Sequence, residues 1–339
     1  MSDQKRVAVS ALEALVTQAF VASSTSADTA ACVARALVRA EIDGRKGHGL
    51  SRVASYTAQA RSGKVDGHAT PTWHRTKPAC AMIDVASGFA YPAFDLAEKN
   101  APYLAAETGL VSVAFTRSHH FGVAAHQVER FAEAGLVALV VGNTPGAIAP
   151  HGGTRPVFGT NPIAFAAPRS DAPPIVIDLA LSTVARGNIL KASQTGDEIP
   201  LGWATDAQGT PTTDPSAALK GTLAPIGGAK GAALALMVEV LAVALTAANF
   251  AFEATSFFDA EGRPPHVGQW LLLIAPDAFA GADVFAERIE TLVYAIADQE
   301  GTRLPGARVH AVRKAAETDG VMVDAALLQT IEAIANATA

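Results

Sequence analysis

Features that mark several common protein classes are missing from this chain. Only two of its 339 residues are cysteine, Cys32 and Cys80, and both stand among apolar neighbours, so a reduced, cytoplasmic protein is expected rather than one held by disulfides. The N-terminus has no long apolar signal core, which disfavours secretion. The most apolar run, 232–248, contains Glu239 and is too short for a membrane span, which favours a buried helix.

Charged residues are also scarce. They form 17% of the chain and sum to a net charge of −6, a balance that argues against a nucleic-acid surface. Half of the residues are hydrophobic, which is enough for one large domain or two interlocked ones. A local basic pocket for a small anion remains compatible with this composition.

The common motifs of nucleotide binding, hydrolysis and metal binding are absent as well. The chain has no G-x-G-x-x-G fingerprint, no P-loop and no G-x-S-x-G nucleophile motif. The adjacent pair His119 and His120 lacks the H-E-x-x-H or C-x-x-C partners of a zinc site, so no metal is expected.

Hydrophobic periodicity predicts a mixed α/β fold. Strands are expected over 80–85, 110–115, 136–141, 163–167, 175–179 and 269–274. Helices are expected over 10–20, 28–42, 50–61, 92–108, 123–134, 181–194, 231–247, 280–299 and 323–336. The polar, turn-rich segment 195–225 is expected to wrap the surface. We expect a central sheet domain over 76–260, flanked by a helical second region made of 1–75 and 261–339.

Basic side chains stand among glycines in four segments, 44–52, 118–122, 150–166 and 227–231. Glycine permits unusual backbone angles and close approach to a ligand, and loops on rigid scaffolds often carry function. The four segments therefore suggest a site for an anionic cofactor and an acidic substrate.

His48 lies between two glycines, and Arg52 follows four residues later, a spacing that puts both on one face of a helix. A guanidinium can bind a carboxylate with two hydrogen bonds. An imidazole can transfer a proton near neutral pH. The pair indicates a site for a 2-oxo or 2-imino acid, although a capping histidine beside a solvated arginine has the same spacing.

Three more candidates lie where strands meet helices. The 118–122 segment precedes a predicted helix, whose N-terminus can bind phosphate or carboxylate, or it is a capping serine with two structural histidines. Lys230 begins an apolar helix and offers a charge for phosphate, or lies exposed in an ordinary turn. Asp178 ends a strand, where it can orient a histidine, bond cofactor hydroxyls or cap a helix.

Taken in order, these segments resemble the type 2 malate/L-lactate dehydrogenase family of NAD(P)-dependent oxidoreductases. The matching motifs are GHGLSR at 47–52, SHHFG at 118–122, PHGG at 150–153, GTNPIAFA at 159–166, IDLALS at 177–182, PTTDP at 211–215 and GAKG at 228–231. Each motif alone is weak evidence, whereas the ordered set is specific, and it spans most of the chain.

The resemblance implies a non-Rossmann dinucleotide-binding fold with a mixed, largely antiparallel central sheet, a homodimer, and NADPH or NADH as cofactor. It implies that His48 is the catalytic acid/base and that Arg52 anchors the substrate carboxylate, with Thr160 nearby. His120 matches a catalytic proton acceptor of the ureidoglycolate branch. The residues implied to contact the cofactor are His119, His120, Phe121, Gly122, Asp178, Leu179, Ala180 and Lys230.

The reaction expected from the resemblance is hydride transfer to C2 of a small 2-oxo acid, or the reverse from malate, lactate or sulfolactate. The segment 255–262 resembles that of sulfolactate-type members. A sulfonate would need a second cation, for which Arg45, Lys46 and Arg186 are the candidates.

Two alternatives stay open at this point. One is reduction of the cyclic imino acids Δ1-pyrroline-2-carboxylate and Δ1-piperideine-2-carboxylate. It is weakened by Gly47, where members commonly have serine, and by Asn188, where the imino-acid reductases have aspartate. The other, from a different class, is a non-catalytic dinucleotide-binding protein.

Overall fold

The structure, a computed structural model, describes residues 3–307 and 309–337. The strands in these residues are β1 (Gln4–Val7), β2 (Thr72–Lys77), β3 (Cys80–Asp84), β4 (Leu110–Ser118), β5 (Val137–Gly142), β6 (Ile163–Ala167), β7 (Ile175–Leu179), β8 (Ala204–Thr205), β9 (Thr222–Leu223), β10 (Val267–Ile274) and β11 (Val321–Asp324). The α-helices are α1 (Val9–Val21), α2 (Ala27–Ile42), α3 (Val53–Ser62), α4 (Ala90–Thr108), α5 (Ala124–Glu133), α6 (Arg186–Thr195), α7 (Pro215–Lys220), α8 (Ala229–Glu239), α9 (Ala282–Ala297), α10 (Val309–Asp319) and α11 (Ala325–Ala335).

Seven strands form the central sheet, in the order β2-β3-β4-β10-β5-β6-β7. Only the β3–β4 pair is parallel, and the other five pairs are antiparallel. The mixed, largely antiparallel α/β fold expected from the sequence is therefore confirmed.

Strand β10 lies in the middle of this sheet and is buried on both sides. Leu271 and Leu273 face a core formed with α4 and α5, whereas Trp270 packs toward a second core that includes α8 and the π-helical segment Val240–Ala244. Burial on both faces explains the continuous apolar character of the strand.

The two ends of the chain pack together beside the sheet. Strand β1 pairs antiparallel with β11, and α1, α2, α3 and α11 surround a third core that contains Phe20, Leu37, Tyr56 and Ile331. Helices from both ends of the chain thus form one layer.

Several predicted boundaries are wrong. The first two residues of the predicted helix 323–336 belong to β11, in which buried valines alternate with more exposed residues. The helix α11 begins after Asp324, whose side chain caps it by accepting from two backbone amides. The predicted helix 181–194 starts only at Arg186, because Leu181 and Thr183 donate their amides to neighbouring loops. Strands β1 and β2 and helix α10 lie outside the predicted elements, and the segment 195–225 contains β8, α7 and β9.

The sheet also extends past the predicted central domain, because β10 lies beyond residue 260 and β2 begins before residue 76. The division of the chain into two domains remains a prediction. None of the helices within the described ranges combines the length and hydrophobicity needed to cross a bilayer.

Candidate active site

The predicted histidine and arginine lie on two successive turns of 3-10 helix, Lys46–His48 and Leu50–Arg52, between α2 and α3. Gly49 joins the turns and lies against Glu41 of α2, which accepts the Leu50 amide at 3.1 Å. A Cβ on Gly49 would come within 2.5 Å of the Glu41 carboxylate and 3.0 Å of its backbone nitrogen. Glycine at this position therefore lets the loop that carries His48 and Arg52 pack closely against α2.

His48 stacks on His120, which the loop after β4 brings in from the sheet. Their ring centroids are 5.3 Å apart and the planes are inclined by 27°. His120 is 7% exposed, and its Nδ1 is hydrogen-bonded to the hydroxyl of Tyr56, which is fully buried on α3. The structure thus brings together the two histidines predicted as catalytic, and it adds Tyr56, which sequence reasoning missed.

Both imidazoles of this stack are held neutral at pH 7. Burial, aided by the charge of Arg52, lowers the pKa of His48 to about 4. The same two causes hold the pKa of His120 well below its usual value. Each ring therefore carries one N–H and one lone pair near neutrality.

Arg52 is held beside the stack with part of its hydrogen-bonding capacity unused. Its Nε donates to the Gly47 carbonyl at 2.7 Å, and its Cζ lies 4.4 Å from the centre of the Phe258 ring. Its Nη1 is buried and has no hydrogen-bond partner among the described residues. Because a buried unpaired guanidinium nitrogen is costly, this atom is suited to an anionic ligand.

The segment 256–259 closes one side of the site and is tied down by two residues of the α3 region. The Gln59 side-chain amide donates to the Phe257 carbonyl at 2.9 Å. Lys64, only 1% exposed, donates to the Asp259 carbonyl and carboxylate at 3.1 and 3.0 Å. The Phe257 ring then packs 5.1 Å from the His120 ring.

His119 and Phe121, both predicted to contact the cofactor, have their side chains inside the protein. The Gln59 nitrogen donates to the Phe257 carbonyl, so the Gln59 oxygen accepts a hydrogen bond from His119 Nε2 at 2.8 Å. Burial lowers the pKa of His119 to about 3. Phe121 stacks on Phe94 in the sheet core. At positions 119 and 121 only the backbone is therefore available for a ligand, and Gly122 has a left-handed φ of 73°.

Asp178, at the end of β7, reaches the start of α5. Its Oδ2 accepts the Ala125 amide at 3.1 Å, so a carboxylate already occupies part of this helix N-terminus. Burial raises the pKa of Asp178. The contact joins the end of β7 to the helix that follows the 118–122 segment.

The remaining predicted residues lie on adjoining loops. The Thr160 carbonyl accepts the Leu181 amide, and the Leu181 carbonyl accepts the Ile226 amide, both at 2.8 Å. These bonds join the loop of Thr160 to the loop after β7 and to the turn before α8. Leu179, Ala180 and Lys230, which lies in the first turn of α8, are all exposed. In the described part of the chain no cluster of three or more His, Cys, Asp or Glu could hold a metal ion.

Comparison with known proteins shows the family. Residues 7–332 match the malate/L-lactate dehydrogenase family, and the chain belongs to it. It is 49% identical over 316 residues to a (2R)-3-sulfolactate dehydrogenase (NADP(+)) of Chromohalobacter salexigens, covering 93% of this chain and 91% of that protein. It is 40% identical over 332 residues to a Delta(1)-pyrroline-2-carboxylate/Delta(1)-piperideine-2-carboxylate reductase of Pseudomonas putida, covering 96% of each.

A solved structure is similar over nearly its whole length. The crystal structure of delta1-piperideine-2-carboxylate reductase from Pseudomonas syringae superposes with a TM-score of 0.92 at 38% identity, covering 97% of this chain and 99% of that one. The family and the oxidoreductase class predicted from the ordered motifs are therefore confirmed.

Proposed function

We propose that this enzyme transfers hydride between NAD(P)H and C2 of a small open-chain 2-oxo acid, with the 2-hydroxy acid as substrate of the reverse reaction. The observation that carries the proposal is the buried, unpartnered Nη1 of Arg52 beside two stacked neutral imidazoles. The 49% identity to a protein named as a sulfolactate dehydrogenase supports an open-chain acid. The non-catalytic alternative is favoured only by the substitutions at Gly47 and Asn188, and the presence of both His48 and Arg52 counts against it.

Each site residue has a proposed task. Arg52 binds the substrate carboxylate through its free nitrogen, and Thr160 lies near the substrate. His48 transfers the proton at the C2 oxygen, because the charge of Arg52 acts on its ring and neither ring nitrogen has a hydrogen-bond partner among the described residues. The α2–α3 region thus supplies the substrate side of the site.

The sheet loops fit the cofactor. The amides of residues 120–122 donate no hydrogen bond to any described protein atom, and Lys230 is exposed at the start of α8 after two glycines with left-handed φ. Free amides and a lysine are donors that a dinucleotide phosphate needs. When bound, the nicotinamide supplies or accepts the hydride. NADPH is the first cofactor to test, since the sulfolactate relative is named for NADP(+).

Reduction of a cyclic 2-imino acid is the second candidate, and the observation in its favour is the TM-score of 0.92 to a reductase of that type. The same arginine and imidazoles can bind its carboxylate and protonate its nitrogen. Gly47, which offers no hydroxyl beside His48, is the reason for ranking it second.

A substrate panel tests these proposals. Oxidation of NADPH and NADH would be followed with pyruvate, oxaloacetate, sulfopyruvate and the two cyclic imino acids. We expect an open-chain acid to give the highest kcat/KM. A faster cyclic imine would reverse the ranking, and no turnover with any of the five would contradict both candidates.

Two variants test the assigned roles. His48→Gln should lower kcat by about 10²-fold or more with little change in NADPH affinity. Arg52→Lys should raise KM strongly, because the bidentate fork is lost. Near-normal kcat in the first variant would transfer the acid/base role to His120, and an unchanged KM in the second would remove Arg52 from the substrate site.

We also propose that the enzyme is a homodimer in the cytoplasm. Helix α9 exposes Val284, Leu292 and Tyr294, and Val293 is its one buried residue, an apolar surface of the kind that subunits cover. Both cysteines are free, which suits a reducing compartment.

Sedimentation should give twice the 34.8 kDa subunit mass, and Leu292→Glu, but not Glu287→Gln on the same helix, should release monomers. A monomeric wild type would contradict the proposal.

A further inference from the structure

The hydrogen bond between Tyr56 and His120 gives the two ring nitrogens of His120 different surroundings. Nδ1 is bonded to the Tyr56 hydroxyl, which comes from a side chain with no exposed surface. Nε2 has no hydrogen-bond partner in residues 3–307 and 309–337, and it belongs to the ring that stacks on His48. One nitrogen is therefore committed to the protein, and the other is left for a ligand.

The direction of the hydrogen bond follows from what each group can donate. Tyr56 has one hydroxyl proton, and His120 Nδ1 is its hydrogen-bond partner in the structure. If Nδ1 carried the proton instead, the Tyr56 hydroxyl would have to donate to the buried Tyr91 hydroxyl beside it. Tyr91 has no other partner among the described residues, so its own proton would then be left without an acceptor, which is costly. Burial raises the pKa of Tyr56, so the phenol keeps its proton and donates it to Nδ1.

A neutral imidazole that accepts at Nδ1 must carry its proton on Nε2. We propose that Tyr56 is a positioning residue that fixes His120 as the Nε2–H tautomer and aims this N–H at the substrate. The assignment of the tautomer does not depend on the proposed function, whereas the role of this N–H toward the substrate rests on it. The Nε2–H group would donate to the oxygen or nitrogen on C2, since a neutral imidazole can polarise a carbonyl.

This arrangement gives the stacked histidines different tasks. The protein fixes the tautomer of His120, whereas neither nitrogen of His48 is bound by a described residue. His48 is free to gain or lose a proton during turnover. His120 stays neutral and acts as a fixed donor, and the contact of its ring with Phe257 limits rotation.

Nitrogen NMR tests the tautomer without any need for turnover. The enzyme would be labelled with 15N at histidine, and the His120 signals would be assigned by their loss in His120→Gln. We expect Nε2 to give the signal of a protonated nitrogen and Nδ1 that of an unprotonated nitrogen accepting a hydrogen bond. In Tyr56→Phe the Nδ1 signal should move to that of an unbonded acceptor, whereas Tyr103→Phe, at an exposed tyrosine of α4, should leave it unchanged.

Kinetics supply a second measurement on the same variants. Tyr56→Phe should lower kcat on the order of tenfold, the size of one lost hydrogen bond, with KM changed much less, and Tyr103→Phe should match the wild type. A protonated Nδ1 in the wild type would overturn the proposal even if Tyr56→Phe failed to fold. Unchanged His120 signals in a folded Tyr56→Phe would overturn it as well. Absence of turnover on the whole panel would instead contradict the proposed function.

Discussion

Arg52 illustrates, at the scale of one residue, how the proposed anion site is organised without a ligand. The Gly47 carbonyl and the Phe258 ring hold the guanidinium in place, while buried Nη1 stays unpaired within the described residues. Such an atom costs about 1–3 kcal/mol. A bound carboxylate would pair with this atom and so regain that free energy. No further entropy would be lost in ordering the Arg52 side chain, because it is already held in place.

Position 47 allows a test of whether the serine hydroxyl common in the family matters for imine reduction. A Cβ at this position would have no heavy atom within 4 Å among the described residues beyond its chain neighbours, and its φ is not left-handed. Serine should therefore fit and place a hydroxyl beside the unbonded ring of His48. We expect Gly47→Ser to raise kcat for Δ1-pyrroline-2-carboxylate roughly threefold to tenfold, as one new hydrogen bond would.

Gly47→Ala is the matched control, because it adds the Cβ without the hydroxyl. Its kcat should stay close to that of the wild type, and both variants should keep the wild-type urea midpoint. Equal rates in the serine and alanine variants would show that the hydroxyl at this position has no part in imine reduction.

The sequence permitted prediction of the residues that stand in recognisable motifs, and not of those that support them. His48, Arg52 and His120 could be proposed from glycine-flanked segments in family order, and the structure places them together. Tyr56 and Gln59 follow Arg52 at helical spacing on α3, a signal that was available. Phe257 and Lys64 reach the site only through long-range packing, which a single sequence does not show.

At the scale of elements, helix α10 joins the C-terminal region to the end of α2, just before the loop that carries His48 and Arg52. Arg313 of α10 bonds Asp43, the residue that ends α2, at 2.8 and 2.6 Å, and Glu129 of α5 at 2.6 Å. Asp43 also bonds His126 at 2.7 Å. The side chains of Asp43 and Glu129 are 4% and 3% exposed, so Arg313 neutralises two acids that water hardly reaches.

Replacing Arg313 should show how strongly this contact stabilises the fold. Arg313→Met would leave buried Asp43 with His126 and buried Glu129 with Arg39 as their remaining bonded partners. We expect the free energy of unfolding to fall by about 3 kcal/mol. Urea denaturation would measure it, with Lys314→Met, an exposed lysine of the same helix, as control. Equal losses in the two variants would mean that the network contributes little.

The elements that the sequence predicted poorly are those defined by partners far away in the chain. Strand β11 has four residues, and only its pairing with β1, more than 300 residues earlier, separates it from the helix that follows. Helix α10 has a single buried residue, Ala316, so its pattern lacks the wide apolar stripe that identifies a helix. Strand β10 was predicted as a strand, yet its place between β4 and β5 depends on topology.

At the scale of the whole molecule, the candidate site lies where the helical layer meets the sheet. The layer supplies Arg52 and Tyr56, and the loop after β4 supplies His120. Because each part folds around its own core, the neutral stack exists only in the assembled protein. Sequence motifs identify His48 and His120, but the packing of the two layers buries both rings and so lowers their pKa values.

Buried neutral histidines should make the whole protein sensitive to mild acid. Burial lowers the pKa of His48 to about 4 and of His119 to about 3, and it also lowers the pKa of His120 and His126. The unfolded chain binds these protons near pH 6.5, whereas the folded protein does not. The stabilisation is complete above pH 6.5 and is lost as the pH falls toward 4.

The free energy of unfolding, measured in urea at one protein concentration, should therefore fall steeply between pH 6.5 and 4.5. His48→Gln isolates one group, because glutamine does not titrate. Its slope in this window should be shallower than that of the wild type by up to about 1.4 kcal/mol per pH unit. The bonds to Asp43, which hold its pKa at about 2 against the effect of burial, should weaken only below pH 4. Parallel slopes for the two proteins would show that His48 titrates alike in the folded and unfolded states, and that the stack is not neutral as the structure indicates.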